Sequence, residues 1–349
     1  MFDYVVFIGR FQPFHAGHYR VAKKALEISK NLIIVIGSHD KARDSRNPFT
    51  TQERIDIIKS CFSYGDQERI QFAPQYDHPY NEEKWIAGVQ ASVNTIAHRT
   101  FNADPIKIGI IGYNKDHSSF YLKKFPMYEL IEVEPLKYKN KVLNATEMRF
   151  WLFGNGDDCM TIPPEYSVNE NHTKTVFKYS GAPLHYLIFA EMQHIKEYKK
   201  GWEVAPYAPT FVTVDTVVTQ SGHVLLVKRG AQPGEGLWAL PGGFLNKHET
   251  LREGALRELK EETKIDVPLP VLAGSILRQH TFDDPYRSTR GRTITHCFHI
   301  RLTDQEKLPK IKGSDDAKKA KWFSLNEFVR MRNQMFEDHF SITEAMLGL

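Results

Sequence analysis

The sequence predicts a two-domain α/β protein: an amino-terminal, doubly wound parallel sheet followed by a smaller α/β domain. Three observations predict it. At 349 residues the chain is longer than one hydrophobic core usually organises. Its start reads strand, turn, helix, strand: the apolar runs Tyr4 to Ile8 and Asn31 to Gly37 flank a segment, His18 to Lys30, with Val21, Ala22, Ala25, Leu26 and Ile28 at helical spacing. A βαβ start requires parallel strands. Far downstream, Thr210 to Val218 and His223 to Lys228 are β-branched alternating runs that read as a strand pair, and they open a second domain. The expected domains are residues 1–201 and 202–349, divided near Trp202.

Composition narrows the function classes. Apolar and charged fractions are those of an ordinary folded protein. A net charge of +4 suits phosphorylated small molecules and gives no argument for nucleic acid, which would need a clustered basic face. Cys61, Cys159 and Cys297 are odd in number, far apart and in no Cys-x-x-Cys arrangement, so a reducing, cytoplasmic compartment is expected rather than a disulfide framework. Met1-Phe2-Asp3-Tyr4 enters a strand without a leader pattern, and no apolar run approaches the ~18 residues of a membrane span.

The stretch Phe7-Ile8-Gly9-Arg10-Phe11-Gln12-Pro13-Phe14-His15-Ala16-Gly17-His18 forms the turn between the first strand and the first helix. Turns of this kind bind phosphates, because free backbone N–H groups and the positive helix end face an anion there. Gly9 allows close backbone approach, Arg10 adds a cation, Pro13 stiffens the turn, and His15 and His18, three apart, aim at one spot. Alone, the histidine pair reads equally as helix-capping surface residues, or as part of a zinc site that no Cys or carboxylate in the turn completes. The joint occurrence of Gly-Arg-Phe, Pro-Phe and His-Ala-Gly-His after a buried strand resembles the nucleotidyltransferase superfamily, whose signature is His-x-Gly-His at this place. The resemblance implies a Rossmann-like sheet, with ATP phosphates held by Gly9, Arg10, Phe11 and His18.

The loop Ser38 to Asn47 carries Lys41, Arg43 and Arg46; it reads as a solvated loop, with Arg46 a candidate phosphate contact. Thr50 and Glu53 have capping-box spacing at the next helix start. Asn47-Pro48-Phe49-Thr50 with Glu53-Arg54-Ile55 resembles the archaeal-type nicotinamide mononucleotide (NMN) adenylyltransferases. Ile70 to Ala73 reads as a third strand, and Asn81 to Arg99 as a helix striped by Trp85, Val89, Val93 and Ile96. A tryptophan on such a stripe is usually core. In the family resembled, an aromatic here stacks on the nicotinamide ring beside polar groups, which makes Trp85 and Asn81 candidates for NMN binding. Ile106 to Gly112 is a further strand, with Lys115 and Asp116 in the turn beyond it as either substrate contacts or a simple turn, and Tyr128 to Val133 closes the sheet. Leu143-Asn144-Ala145-Thr146-Glu147-Met148-Arg149 opens a helix and resembles the Ile-Ser-Ser-Thr-x-x-Arg motif of nucleotidyltransferases. Asn144 and Ala145 replace both serines, while Thr146 and Arg149 keep the hydroxyl and guanidinium that grip a triphosphate. The implied reaction has no covalent intermediate: the NMN phosphate attacks the α-phosphorus of ATP, while His15, His18, Arg10 and Arg149 neutralise charge and Mg²⁺ accompanies the pyrophosphate.

Asp157 to Lys174, rich in Pro, Asn, Asp and Glu, reads as a linker or long loop. Leu184 to Lys200, with Leu184, Leu187, Ile188, Met192 and Ile195 on one side, reads as a helix finishing the first domain.

In the second domain, Trp238-Ala239-Leu240-Pro241-Gly242-Gly243-Phe244 offers glycines for close approach of backbone to ligand. Beyond it, Glu258, Glu261 and Glu262 fall at i, i+3 and i+4, so their carboxylates share one helix face and suit a hard divalent cation, although three glutamates alone read as a solvated acidic helix. Leu256 and Leu259 lie off that face as anchors. From Gly243 the whole string resembles the Nudix box, Gly-x5-Glu-x7-Arg-Glu-U-x-Glu-Glu-x-Gly-U with U aliphatic, at every defined position except Lys264, where the box has glycine. The resemblance implies a Nudix α/β/α sandwich with a mixed sheet. It also implies Mg²⁺ or Mn²⁺ on Glu258, Glu261 and Glu262, and Arg257 paired to Glu249. The segment Gln279 to Thr295, with Arg287, Arg290 and Arg292, looks like the substrate loop of ADP-ribose pyrophosphatases or reads as a solvated hairpin tip. Gly242, Gly243, Arg290 and Arg292 are the candidate ADP-ribose contacts, and Asp315 or Asp316 a candidate general base.

Three functional readings follow from these resemblances. The first is a bifunctional enzyme that makes NAD from ATP and NMN and hydrolyses ADP-ribose to AMP and ribose 5-phosphate. In the second, the carboxyl domain senses ADP-ribose without cleaving it. The third keeps both enzymes but changes substrates, with NADH or another nucleoside diphosphate derivative hydrolysed. Expected partners are the small molecules ATP, NMN, NAD and ADP-ribose, with no nucleic acid and no membrane; self-association is left open.

Overall fold

The computed structural model describes residues 1–98, 106–113, 122–154, 160–313 and 317–349. Lys115, Asp116, Asp315 and Asp316 lie outside the described residues. The chain divides into two compact units, Met1–Met192 and Gln193–Leu349. The division falls within the helix expected to finish the first domain, ahead of the expected boundary. Among the described residues no helix is long and apolar enough to cross a membrane.

In the first unit the strands β1 (Phe2–Gly9), β2 (Ser29–Ile36), β3 (Ile70–Pro74), β4 (Ile108–Gly112) and β5 (Glu129–Glu132) form one sheet in the order β3-β2-β1-β4-β5. All four pairings are parallel. The strand order reverses between β1 and β4, so their carboxyl ends flank the crevice where open α/β sheets bind ligands. Alternate residues of β1 feed two cores, Val5 and Phe7 on one face and Tyr4, Val6 and Ile8 on the other, as a doubly wound sheet requires. Helix α1 (Ala16–Ile28) follows β1, and α2 (Thr51–Lys59) starts on the expected capping box of Thr50 and Glu53. Next come α3 (Tyr64–Glu68) and α4 (Glu82–His98), then the small hairpin of β6 (Lys137–Tyr138) and β7 (Lys141–Val142), then α5 (Ala145–Phe153). Asn144, standing where the nucleotidyltransferase motif has serine, caps α5: its side chain accepts from the Glu147 N–H at 2.9 Å.

Of the segment expected as a linker or long loop, residues 160–169 hold no α-helix, but a helix begins within its last residues. Helix α6 (Glu170–Ser180) is capped by Asn169 and packs on the first core through Val176. Its His172 is fully buried, donating from Nε2 to the Phe14 carbonyl (3.0 Å) and accepting at Nδ1 from the Val168 N–H (3.3 Å). Burial lowers the His172 pKa, in keeping with that neutral tautomer. The polar composition of residues 169–175 hid the start of α6, whose apolar contacts come from Val176, Phe177 and Tyr179 in its second half.

Arg54 on α2 holds the binding end of this sheet together. Its side chain is wholly buried, and Nη1 donates to the carbonyls of Arg10 (2.7 Å) and Gly37 (2.6 Å) while Nη2 donates to that of Ser38 (3.1 Å). The turns after β1 and β2 are thus fixed to one planar group. Burial, with Arg10 nearby, lowers its pKa to about 10, which leaves it charged at neutral pH.

In the second unit, helix α7 (Leu184–Lys200) contributes its last turns, and β8 (Thr210–Gln220) and β9 (His223–Arg229) form the expected hairpin. Ser221 and Gly222 between them both have positive φ, as a two-residue hairpin turn demands. The remaining strands are β10 (Trp238–Ala239), β11 (Gly242–Phe244), β12 (Ile276–Phe282), β13 (Arg292–Arg301) and β14 (Ala317–Ser324). The sheet is mixed, because β8 runs parallel to β13 and antiparallel to β9 and β11. Helix α8 (Leu251–Thr263) lies on it, anchored as expected by Leu256 and Leu259 against Val218, Leu225 and Ile300. Helices α9 (Leu269–Gly274), α10 (Leu325–Phe328) and α11 (His339–Leu347) complete the unit. Lys264 caps α8 in the left-handed region, φ 45° and ψ 33°, so the helix ends as it would with glycine, at a steric cost to lysine.

Two stability measurements check these points. Arg54→Met strands carbonyls at ~1 kcal/mol or more each, so urea unfolding of the first unit should show a loss of about 2–4 kcal/mol. Lys264→Gly relieves left-handed strain but adds unfolded-chain entropy, and should leave the second unit's Tm unchanged or raised, by at most about 1 kcal/mol of stability.

Candidate functional sites

At the carboxyl end of β1, His15 caps α1: its Nδ1 accepts from the Gly17 N–H at 3.1 Å, which places the proton of a neutral ring on Nε2. A Cβ on Gly17 would come within 2.9 Å of the His15 ring, so the glycine of His-x-Gly-His makes room for that cap. The rings of His15 and His18 stand 3.9 Å apart, as the three-residue spacing predicts. Phe11 is buried and stands edge-on to His18 at 5.1 Å, so its side chain shapes the histidine site from the core. A Cβ at Gly9 would lie 2.7 Å from the Phe11 ring, so this glycine serves ring packing as well as the turn.

Arg149 reaches this turn from α5. Nη1 donates to the Gln12 carbonyl (2.8 Å), Nε to the Ser45 carbonyl (3.1 Å) and Nη2 to Thr146 Oγ1 (3.1 Å). Burial first, then the charges of Arg10 and Arg46, lower its pKa to about 10. Arg10, Arg46 and Arg149 are therefore near enough to repel, an arrangement that an anion relieves. Gln12 locks the turn to Phe49, donating to its carbonyl (2.9 Å) and accepting from its N–H (3.0 Å). Trp85 is half-buried against the second core, 6.0 Å from Phe125, and the Asn81 side-chain carbonyl accepts from the Lys84 N–H at 2.9 Å.

In the second unit a cleft of about 490 Å³ is lined by, among others, Asp215, Arg229, Gly242, Glu258, Glu262 and Arg290. A Cβ on Gly243 would displace the Glu258 carboxylate, and one on Gly242 would overlap the Val214 carbonyl, so glycine at 242 is what lets β11 pair this closely with β8. The Gly242 N–H donates to Glu262 Oε2 (3.0 Å). Burial, reinforced by the neighbouring acids Glu258 and Asp215, raises the Glu262 pKa to about 8, and burial also raises that of Glu258. Arg257 makes the expected pair with Glu249, Nε to Oε2 at 2.9 Å and Nη2 to Oε1 at 2.7 Å, which lowers the Glu249 pKa to about 2. Its Nη1 also donates to Glu258 (2.8 Å) and Glu261 (2.9 Å).

Among the described residues no three acidic, His or Cys side chains converge as a ready-made metal cage. The donor chemistry nevertheless fits a divalent cation at Glu258 and Glu262, since two desolvated carboxylates lining one cleft gain from a shared positive charge. Glu261 is exposed, tied to Arg257 and not among the cleft-lining residues. Arg290 lines the cleft, its guanidinium 5.2 Å over the Phe244 ring, whereas Arg292 pairs with Asp283 (3.7 Å) and does not line it.

Sequence reasoning assigned no role to Gln12, Arg54, Asp215, Arg229 or His339. Asp215 is a carboxylate within a β-branched run, buried and accepting from the Thr295 hydroxyl, and its isolation among apolar neighbours was the available signal. His339 accepts at Nδ1 from the Leu240 N–H (3.0 Å), and burial lowers its pKa.

The cytidylyltransferase-like family model matches residues 6–110, and the NUDIX domain model matches residues 209–346. A nicotinamide/nicotinic acid mononucleotide adenylyltransferase of Acinetobacter baylyi is 43% identical over 148 residues, 42% of this chain and 74% of that protein. An ADP-ribose pyrophosphatase of Methanocaldococcus jannaschii is 34% identical over 125 residues, 36% of this chain and 68% of that protein. A crystal structure from Francisella tularensis, described as a bifunctional NMN adenylyltransferase/ADP ribose pyrophosphatase complexed with AMP and a manganese ion, matches with a TM-score of 0.90 at 36% identity, covering 100% of this chain and 99% of that one. With a nucleotide-binding turn in one unit and paired glutamates in the cleft of the other, the chain belongs to the family of bifunctional NMN adenylyltransferase/ADP-ribose pyrophosphatases.

Proposed function

We propose that this chain makes NAD and pyrophosphate from ATP and NMN in its first unit, and hydrolyses ADP-ribose to AMP and ribose 5-phosphate in its second. The observation that carries the reading is one reactive constellation per unit: a histidine pair with Arg149 bonded to the same turn at a strand switch point, and carboxylates beside arginines in a cleft of about 490 Å³.

In the first unit an oxygen of the NMN phosphate forms a bond to the α-phosphorus of ATP as the bond to the β-phosphate oxygen breaks. The chain's part is positioning and charge. His15 offers Nε2–H, and His18 stacks beside it; Arg10, Arg46 and Arg149 take up charge growing on the leaving pyrophosphate, with Thr146 fixing the Arg149 fork. Gly9 and the Phe11 backbone complete the phosphate turn. Asn81 and Trp85, with Lys115 and Asp116, are our candidates for holding NMN.

In the second unit, Gly242, Gly243 and Arg290 would hold the diphosphate of ADP-ribose, with Arg292 a further candidate from the same loop. A divalent cation, Mg²⁺ or Mn²⁺, on Glu258 and Glu262, with Glu261 a further ligand, would neutralise the diphosphate and acidify the attacking water. A purely sensing cleft is not favoured, because it has no need of clustered acids beside a diphosphate site. The partners are small nucleotides rather than nucleic acid or membrane, and the buried free thiols of Cys61 and Cys297 suit the cytoplasm.

Single substitutions separate the two activities. His18→Ala should lower NAD formation by about 100-fold or more while ADP-ribose hydrolysis persists, and Glu262→Gln should do the reverse. Chromatography of the products from each variant reads both; loss of both activities in either variant would contradict the assignment.

A further inference from the structure

The hydrolase cleft has one wall that the NUDIX match does not include. His194 and Tyr198, one turn apart on the same face of α7, line the cleft beside Gly243, Phe244 and Arg290. Both precede residue 209, where that match begins. The sequence placed this helix with the first domain, yet its last turns belong to the second unit. Tyr198 is seated rather than loose: its ring is 5.8 Å from Phe211, which stands 5.2 Å from Trp202 and 5.8 Å from Phe244. His194 is exposed in the cleft wall, so its ring is available to a ligand.

The cleft therefore combines three kinds of surface. Glu258, Glu262 and Asp215 supply acids, Arg229 and Arg290 supply cations, and His194, Tyr198 and Phe244 supply flat rings. A diphosphate engages only the first two. Planar rings at the margin of a diphosphate site match the π face of a nucleobase, to which every base is open. Building on the hydrolase reading above, we propose that His194 and Tyr198 form the nucleobase subsite of the second unit, so that the working hydrolase begins in α7 and favours nucleoside diphosphates over diphosphate esters without a base.

The test uses full-length protein and two substrates, ADP-ribose and the analogue in which methyl replaces adenosine on the diphosphate. His194→Ala and Tyr198→Ala should each raise KM for ADP-ribose by about 5- to 100-fold with a smaller change in kcat, and leave KM for the methyl analogue in place. Tyr198→Phe, which keeps the ring, should recover most of the affinity. An unchanged kcat for the methyl analogue reports intact folding of the second unit. An unmoved KM for ADP-ribose in both alanine variants, or an equal rise for the methyl analogue, would overturn the subsite while the hydrolase reading stands. Absence of ADP-ribose hydrolysis by the unaltered protein would overturn the hydrolase reading itself, and the subsite with it.

Discussion

One buried guanidinium governs the nucleotide end of the first unit. Arg54 gathers the carbonyls of Arg10, Gly37 and Ser38, which come from two turns that would otherwise be independent loops at the end of a sheet. Polar backbone atoms at a strand terminus need partners, and satisfying them with a single planar group makes the turns move as one. Gln12 adds a second clamp from the β1 turn to Phe49. Upon this frame the buried His15 and Arg149, with His18, hold fixed positions. In phosphoryl chemistry, where positioning and charge stabilisation dominate, such stiffness is itself catalytic capacity.

The second unit solves a different problem, that of keeping carboxylates together. Burial, with Glu258 and Asp215 nearby, raises the cost of ionising Glu262, and the Gly242 N–H and the Arg257 fork hold Glu262 and Glu258 in place. Arg257 binds Glu249 and Glu261 and reaches Glu258, whereas Glu262 is held on the cleft side by the Gly242 N–H. Carboxylates kept on the cleft side are what a cation-assisted diphosphate site requires.

Much of this was legible in the sequence where chemistry is local. The His-Ala-Gly-His turn, the Thr50–Glu53 capping box, and the placing of Glu258 and Glu262 in one cleft depend on residues within a few positions of each other, and their structures follow the spacing, while Glu261 stays outside the cleft on Arg257. What escaped depends on distant partners. Arg54 stands in an ordinary amphipathic helix, and only the arrival of residues 10, 37 and 38 gives it work. The start of helix α6 was hidden by polar composition, and its His172 finds its partner at Phe14, more than a hundred residues earlier. Lys264 shows the converse: a departure from the motif that the backbone absorbs by placing lysine in the left-handed region. The end of α7 was misplaced because an apolar stripe says that a helix packs, not which core receives it.

The central claim is that one chain joins a nucleotidyl-transferring unit to a diphosphate-hydrolysing one. The most direct measurement is product chromatography of the unaltered protein with Mg²⁺ or Mn²⁺, first with ATP and NMN, then with ADP-ribose. The account predicts NAD and pyrophosphate in equal amounts from the first mixture, and AMP with ribose 5-phosphate in equal amounts from the second. Unchanged ATP and NMN, or unchanged ADP-ribose, would contradict it.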